Sequence, residues 1–138
     1  MDDDAPTGPT ALVLDDEEGL REIMCRILRG RGFTAIGVGD PAEAVVLLGD
    51  PTTPVDILVT DLGLPTGFGV EVARRAAVSR PDLPVLYVSG LAKADAVRQG
   101  LLDPGARLLQ KPFRREALAE AVRAAIAGEP APDPPYSD

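Results

Sequence analysis

Five residues with the chemistry to handle a charged group stand directly after short apolar runs: Asp15 and Asp16, Asp61, Ser89 and Lys111. Singly, each has an ordinary explanation. An aspartate at a strand-to-helix turn is usually a helix cap, a serine there a turn residue, and a lysine a solvated charge. The ordinary explanation must hold four times over, at the ends of four separate apolar runs. Brought together, the residues have a definite chemistry. Three clustered carboxylates repel one another, and a hard divalent cation relieves that repulsion. An oxygen-only donor set suits Mg²⁺ better than Zn²⁺. A carboxylate beside such a cation can attack phosphorus and form an acyl phosphate. The cation and a lysine then neutralise charge on the equatorial oxygens, and a nearby hydroxyl donates to the phosphoryl oxygen.

The elements that must position these residues alternate. Ala11–Leu14 is uniformly apolar, as a strand covered on both faces should be. Leu20, Ile23, Met24, Ile27 and Leu28 recur at helical spacing, and Gly30 and Gly32 stop that helix. Thr34–Val38 is a second strand, and Asp40-Pro41 starts a helix ending near Leu48. Ile57–Thr60, Val85–Val88 and Leu108–Gln110 are three further strands. Helices are predicted at about Gly67–Val78 and Lys93–Gln99, and a last one carries Leu118, Ala121, Val122, Ala125 and Ile126 on one face. Five strand–helix alternations imply a parallel sheet with right-handed crossovers and helices on both faces. Such a doubly wound fold places its site beyond the carboxyl ends of the strands. The second strand offers no polar group there, as suits an edge.

Composition narrows the function. The 138 residues, 45% of them hydrophobic, suffice for one domain with a real core. We expect residues 1–10 to be a disordered acidic lead-in, 11–127 the domain, and 128–138 a proline-rich tail or linker. The chain has no histidine, which excludes Ser-His-Asp and Cys-His catalysis, His-ligated zinc and a phosphohistidine of its own. Cys25, the only cysteine, reads as a structural, partly exposed thiol just off its helix's apolar stripe. A net charge of −8 argues against nucleic-acid binding. No apolar run is long enough to span a bilayer, and the start Met1-Asp2-Asp3-Asp4 is acidic where a secretory signal is basic, so a soluble cytoplasmic protein is expected. Of 14 basic residues only Lys93 and Lys111 are lysines.

The ordered set Asp15-Asp16, then Asp61-Leu62-Gly63-Leu64-Pro65 with Gly69, Val88-Ser89-Gly90, and Gln110-Lys111-Pro112-Phe113 resembles the receiver domains of bacterial two-component response regulators, from about Ala11 to Ala127. The resemblance implies a flavodoxin-like (βα)5 fold with strand order 2-1-3-4-5. It implies Asp61 as phosphoacceptor, and Mg²⁺ held by Asp16 directly, Asp15 through water, Asp61 and the Gly63 carbonyl. Ser89 stands at the switch position, Lys111 at the phosphoryl-pairing position, and a cis bond is implied before Pro112. The donor would be a histidine kinase or histidine phosphotransfer protein. The chain would act as a signalling module, not an enzyme, with possible homodimerisation through the face of the fourth helix, fifth strand and fifth helix, or through the first and fifth helices.

The chain departs from that pattern in three places. Leu108 occupies the switch-aromatic position, so an aromatic flip is unavailable. Gly63 and Leu91 stand where family side chains tune hydrolysis, and neither can hold a water by its side chain. Self-dephosphorylation should therefore be slow. Val85–Phe113 looks especially like receivers of hybrid histidine kinases, and both a free single-domain regulator and a module of a longer chain fit. Three other readings share parts of the pattern. A haloacid-dehalogenase-type phosphohydrolase needs an Asp two residues after a nucleophile on the first strand, where Glu17 follows Asp15. A flavodoxin-like cofactor binder needs a phosphate-cradling loop where this chain has acids. A degenerate receiver acting only by binding would fit Leu108.

Overall fold

The computed structural model describes residues 8–63 and 66–130; the lead-in at 1–7, Leu64-Pro65 of the motif and the tail at 131–138 lie outside the described residues. Its elements run β1 (Thr10–Leu14), α1 (Glu18–Arg29), β2 (Thr34–Val38), α2 (Pro41–Gly49), β3 (Ile57–Asp61), α3 (Phe68–Ser79), β4 (Val85–Ser89), α4 (Lys93–Arg98), β5 (Arg107–Gln110) and α5 (Arg115–Ala127). The five strands form one sheet in the order β2-β1-β3-β4-β5, all pairs parallel.

Successive strand residues point to opposite faces, and the core divides accordingly. Ala11, Val13, Ile57, Val59, Leu86 and Val88 pack with Met24 and Leu28 of α1 and Leu118 and Val122 of α5. Leu12, Leu14, Leu58 and Tyr87 pack with residues of α2, α3 and α4. Each fully buried leucine stabilises the fold by about 1.5–3 kcal/mol over leaving it in water. Because the central strands are covered on both faces, a charged group that must reach solvent or a ligand is best placed at a strand end. Asp40 begins α2 as expected, its Oδ1 accepting from the Ala42 amide at 3.0 Å, with Pro41 in the first turn.

Two expectations for α1 are corrected. Ile23 is 53% exposed, while Met24, Cys25 and Leu28 are buried, so the buried stripe is rotated toward β2. Cys25 is accordingly buried, not partly exposed. The reason lies on the facing strand: a Cβ at Gly37 would stand 3.1 Å from the Cys25 Sγ, and glycine leaves that space for sulfur. Burial pushes the thiol pKa up, although Arg29 and Arg21 pull it partly back.

Candidate functional site

Asp15 is fixed from several sides. Its amide donates to the Val38 carbonyl at 3.2 Å, extending the β1–β2 ladder by one residue. Its Oδ1 accepts from the Glu17 amide at 2.8 Å. Arg21 Nη1 donates to the Asp15 carbonyl at 2.9 Å. That guanidinium fits because residue 39 is glycine; a Cβ there would be 2.5 Å from Nη1. Nothing in the sequence pointed to Arg21, since long-range support by an arginine leaves no local pattern. The ordinary capping explanation for Asp15 and Asp16 does not describe α1, whose N-cap is Glu17 with no side-chain cap.

Asp61 is the last residue of β3, and Asp16 lies exposed beside Asp15. One carboxylate oxygen from each of Asp15, Asp16 and Asp61 lies within 4.8 Å of the others. That spacing is roughly twice a metal–oxygen distance of about 2.0–2.4 Å, so one cation can meet all three. Asp15 is 1% exposed, and its Oδ2 is buried with no hydrogen-bond partner among the described residues. A buried, unpartnered carboxylate oxygen beside two other acids fits a hard cation. The three acids form an acidic pocket that could bind a metal.

Burial raises the Asp15 pKa, and the charges of Asp61 and Asp16 add to the rise; the Glu17 amide and Lys111 oppose it. A raised folded-state pKa means that the fold binds this proton more tightly than the unfolded chain. Below the ordinary carboxylate value both states are protonated and the group costs nothing. As pH climbs from there through the raised value, stability falls. Asp15→Asn removes that loss, keeping an Oδ1 for Glu17 and giving an amide that can donate to neighbouring carboxylates. In chelator at pH 7 the variant should melt about 3–5 °C higher than the parent, equivalent to about 1 kcal/mol. Thermal melts from pH 3.5 to 7 check this, with the gap closing at the acid end; a gap independent of pH would contradict it.

Lys111 and Ser89 come to the same rim. The Lys111 amide donates to the Ser89 carbonyl at 2.8 Å, carrying the β4–β5 pairing past the end of β5. Its Nζ lies 4.0 Å from Asp61 Oδ2. The Lys111–Pro112 peptide is cis. Ser89 is buried, and its Oγ accepts from the Leu91 amide at 3.0 Å. Leu108 pairs in register with Tyr87, packs against the core cluster that holds Tyr87 and Ala96, and borders a groove on the α4–β5–α5 face.

The β3–α3 connection is tightly built. A Cβ on Gly69 would lie 1.8 Å from the Asp61 carbonyl oxygen, so the start of α3 rests directly on the end of β3. Gly63 and Gly67 take φ of 80° and 77°, left-handed values that suit glycine. The Gly63 carbonyl accepts from the Gly67 amide at 2.6 Å and from the Thr66 hydroxyl at 3.0 Å. Of the four expected metal-binding groups, three carboxylates are thus brought together, while the Gly63 carbonyl is engaged within its own turn. Sequence reasoning missed Thr66, because a hydroxyl three residues along is ordinary loop composition.

Residues 11–123 match the response regulator receiver domain family. The chain belongs to that family. Similar receivers include part of the sensor kinase CckA of Brucella abortus, 31% identical over 83% of this chain and 12% of that protein. The DNA-binding response regulator MtrA of Mycolicibacterium paratuberculosis is 36% identical over 83% of this chain and 50% of its own length. The chain therefore spans about half, or far less, of these curated relatives. Among solved structures, a response regulator receiver protein from Sinorhizobium medicae superposes with TM-score 0.74, at 31% identity, over 88% of this chain and 96% of that one. The receiver domain of the hybrid histidine kinase CckA superposes at 0.68, with 26% identity, over 85% and 98%. Receivers are phosphoacceptor modules of two-component signalling and interact with histidine kinases or phosphotransfer proteins. No helix among the described residues is long and apolar enough to cross a membrane.

Proposed function

We propose that Asp61 is the phosphoacceptor of this receiver, that Asp15, Asp16 and Asp61 hold Mg²⁺, and that Lys111 and Ser89 bind the transferred group. The domain is residues 11–127. The observation that carries the reading is the three-carboxylate cluster, together with the buried unpartnered Oδ2 of Asp15 and the Lys111 ammonium 4.0 Å from Asp61.

In this reading the Asp61 carboxylate attacks the phosphorus of a partner's phosphohistidine. The P–N bond breaks, its electron pair leaves with the imidazole nitrogen, and that nitrogen takes up a proton from solvent. A bound Mg²⁺ would supply positive charge beside the transferring oxygens. Lys111, anchored through its backbone to Ser89, contributes a second positive charge. The Ser89 hydroxyl, whose oxygen accepts from the Leu91 amide, donates its proton to a phosphoryl oxygen. Asp16, exposed, is the acid through which a cation would enter.

The donor is a histidine kinase or histidine phosphotransfer protein, and because such donors are charged from ATP the proposed setting is the cytoplasm. Output passes through a protein contact. The proposed surface is the α4–β5–α5 face, where a groove of about 420 Å³ has an apolar floor including Leu108, Leu109 and Ala121 and is also lined by the charged residues Lys93, Arg107 and Glu120. Homodimerisation through that face is one form such output would take.

The test uses phosphoramidate, a small P–N donor, with Mg²⁺. Intact mass spectrometry should show one phosphoryl group added, removed by hydroxylamine as an acyl phosphate is, and absent in chelator. The label should then persist for minutes or longer. Gly63 and Leu91 offer no side-chain donor to hold an attacking water, and the Phe68 ring fills the space a side chain at position 63 would take. Loss within seconds would contradict the slow-hydrolysis expectation, and a hydroxylamine-stable label would contradict the acyl phosphate itself.

A further inference from the structure

Two of the three clustered acids, Asp15 and Asp16, are joined by one planar peptide group, and a long side chain holds that group from α1. Its carbonyl oxygen, that of Asp15, accepts from Arg21 Nη1 at 2.9 Å. On the other side of the Asp15 Cα, the amide donates to the Val38 carbonyl at 3.2 Å. With both flanking peptides tethered, the direction in which the Asp15 side chain leaves the backbone is fixed. Its Oδ1 is engaged by the Glu17 amide at 2.8 Å, so the buried Oδ2 is the oxygen left without a partner. Two glycines make room for the arginine. A Cβ at Gly37 would stand 3.3 Å from its Cγ and 3.4 Å from its Cδ, and one at Gly39 2.5 Å from Nη1. Gly37 lies in the edge strand β2 and Gly39 just after it, so the side chain runs along that strand toward its carboxyl end.

We propose that Arg21 is a positioning residue for the cation site: by holding the Asp15–Asp16 peptide it keeps both carboxylates converged with that of Asp61. The proposal rests on the reading of those three acids as the cation site. The sign of the effect separates positioning from charge. Arg21 is itself a cation, so by charge alone its removal would strengthen the binding of a divalent cation. By positioning, its removal weakens binding, since Asp16 is exposed and the peptide plane is what aims it. Two variants break the contact in different ways. Arg21→Met keeps the stem beside Gly37 and deletes the charge and the donors together. Gly39→Ala keeps the charge and puts a methyl where Nη1 lies. The Gly39 φ is not left-handed, and the displaced atom is the tip of a flexible side chain, so the fold accommodates that alanine.

The experiment is a Mn²⁺ titration of the intact chain, with free Mn²⁺ counted by electron paramagnetic resonance, well below the melting temperature of each variant in chelator. Arg21→Met and Gly39→Ala should each bind about two- to tenfold more weakly than the parent, the range corresponding to one hydrogen bond. The double variant should bind as Arg21→Met does, because no guanidinium remains for the alanine to displace. Equal or tighter binding by Arg21→Met overturns the proposal while leaving the carboxylate site standing. Parental affinity in Gly39→Ala, or losses that add in the double variant, also overturn it, because the shared contact would then not be responsible. A role in stability alone would lower the melting temperature in chelator and leave the affinity of the folded protein unchanged, which again overturns it. If the parent does not bind Mn²⁺ at millimolar concentration, the carboxylate reading fails and this inference fails with it.

Discussion

Asp61→Asn abolishes the response to beryllofluoride with Mg²⁺, while the unsubstituted protein gains several degrees in thermal midpoint. Beryllofluoride stands in for the phosphoryl group, and it is held by an anionic carboxylate oxygen that asparagine lacks. Asparagine keeps the size and shape of the side chain, so the end of β3 and its contact with Gly69 survive. A ligand at 100 times its dissociation constant stabilises by about 2.7 kcal/mol, well above the error of a melt. The variant has a second signature. Removing one of three carboxylates within 4.8 Å relieves repulsion, so metal-free Asp61→Asn should melt above the metal-free parent even as it loses the ligand response. A raised baseline with no response separates loss of the acceptor from loss of the fold. An equal response in both proteins, or none in either, would sink the phosphoacceptor assignment.

The fold was legible because its two periodicities are clean. β2 spans Thr34–Val38 as the sequence predicts, and each of the other strands is longer by one residue. Those small differences matter at the site. Asp61 and Ser89 are the last residues of β3 and β4, not the first of their loops, so the parallel ladder itself holds them in register. The strand order follows the resemblance and agrees with a rim at which β1, β3, β4 and β5 offer polar groups and β2 does not. What escaped the sequence are contacts made across elements. Cys25 was misplaced because helical spacing alone cannot tell which flank of an amphipathic stripe meets a glycine on the neighbouring strand. Arg21 supporting Asp15 from six residues on, and Thr66 engaging Gly63, are single hydrogen bonds with no periodic trace. The Gly63 carbonyl shows the reverse case: resemblance assigns it a role that its present partners compete for.

Gly69→Ala should be the most damaging conservative substitution in the site, and its cause is contact rather than conformation. The helical backbone at Gly69 is one that alanine prefers, so intrinsic propensity alone would favour the change by roughly 1 kcal/mol. The added methyl, however, would stand 1.8 Å from the Asp61 carbonyl oxygen and 3.0 Å from Thr60 Oγ1, itself bonded to that carbonyl. These are backbone atoms of a central strand and a buried hydroxyl, which cannot swing aside as the tip of a flexible side chain can. The helix must lift from the sheet, opening the packing of Val72 and Ala73 below it. We expect a loss of about 3 kcal/mol or more in urea unfolding, beyond the usual 0.5–3 kcal/mol of a point substitution. Because the displaced atoms belong to Asp61, Mn²⁺ affinity should fall in the surviving folded protein as well. Gly67→Ala is the control. Its φ of 77° makes it strained, but nothing lies within 4 Å of its added methyl, so it should cost about 1 kcal/mol. If Gly69→Ala cost no more than Gly67→Ala, the close approach of α3 to Asp61 would not be what holds the acceptor in place.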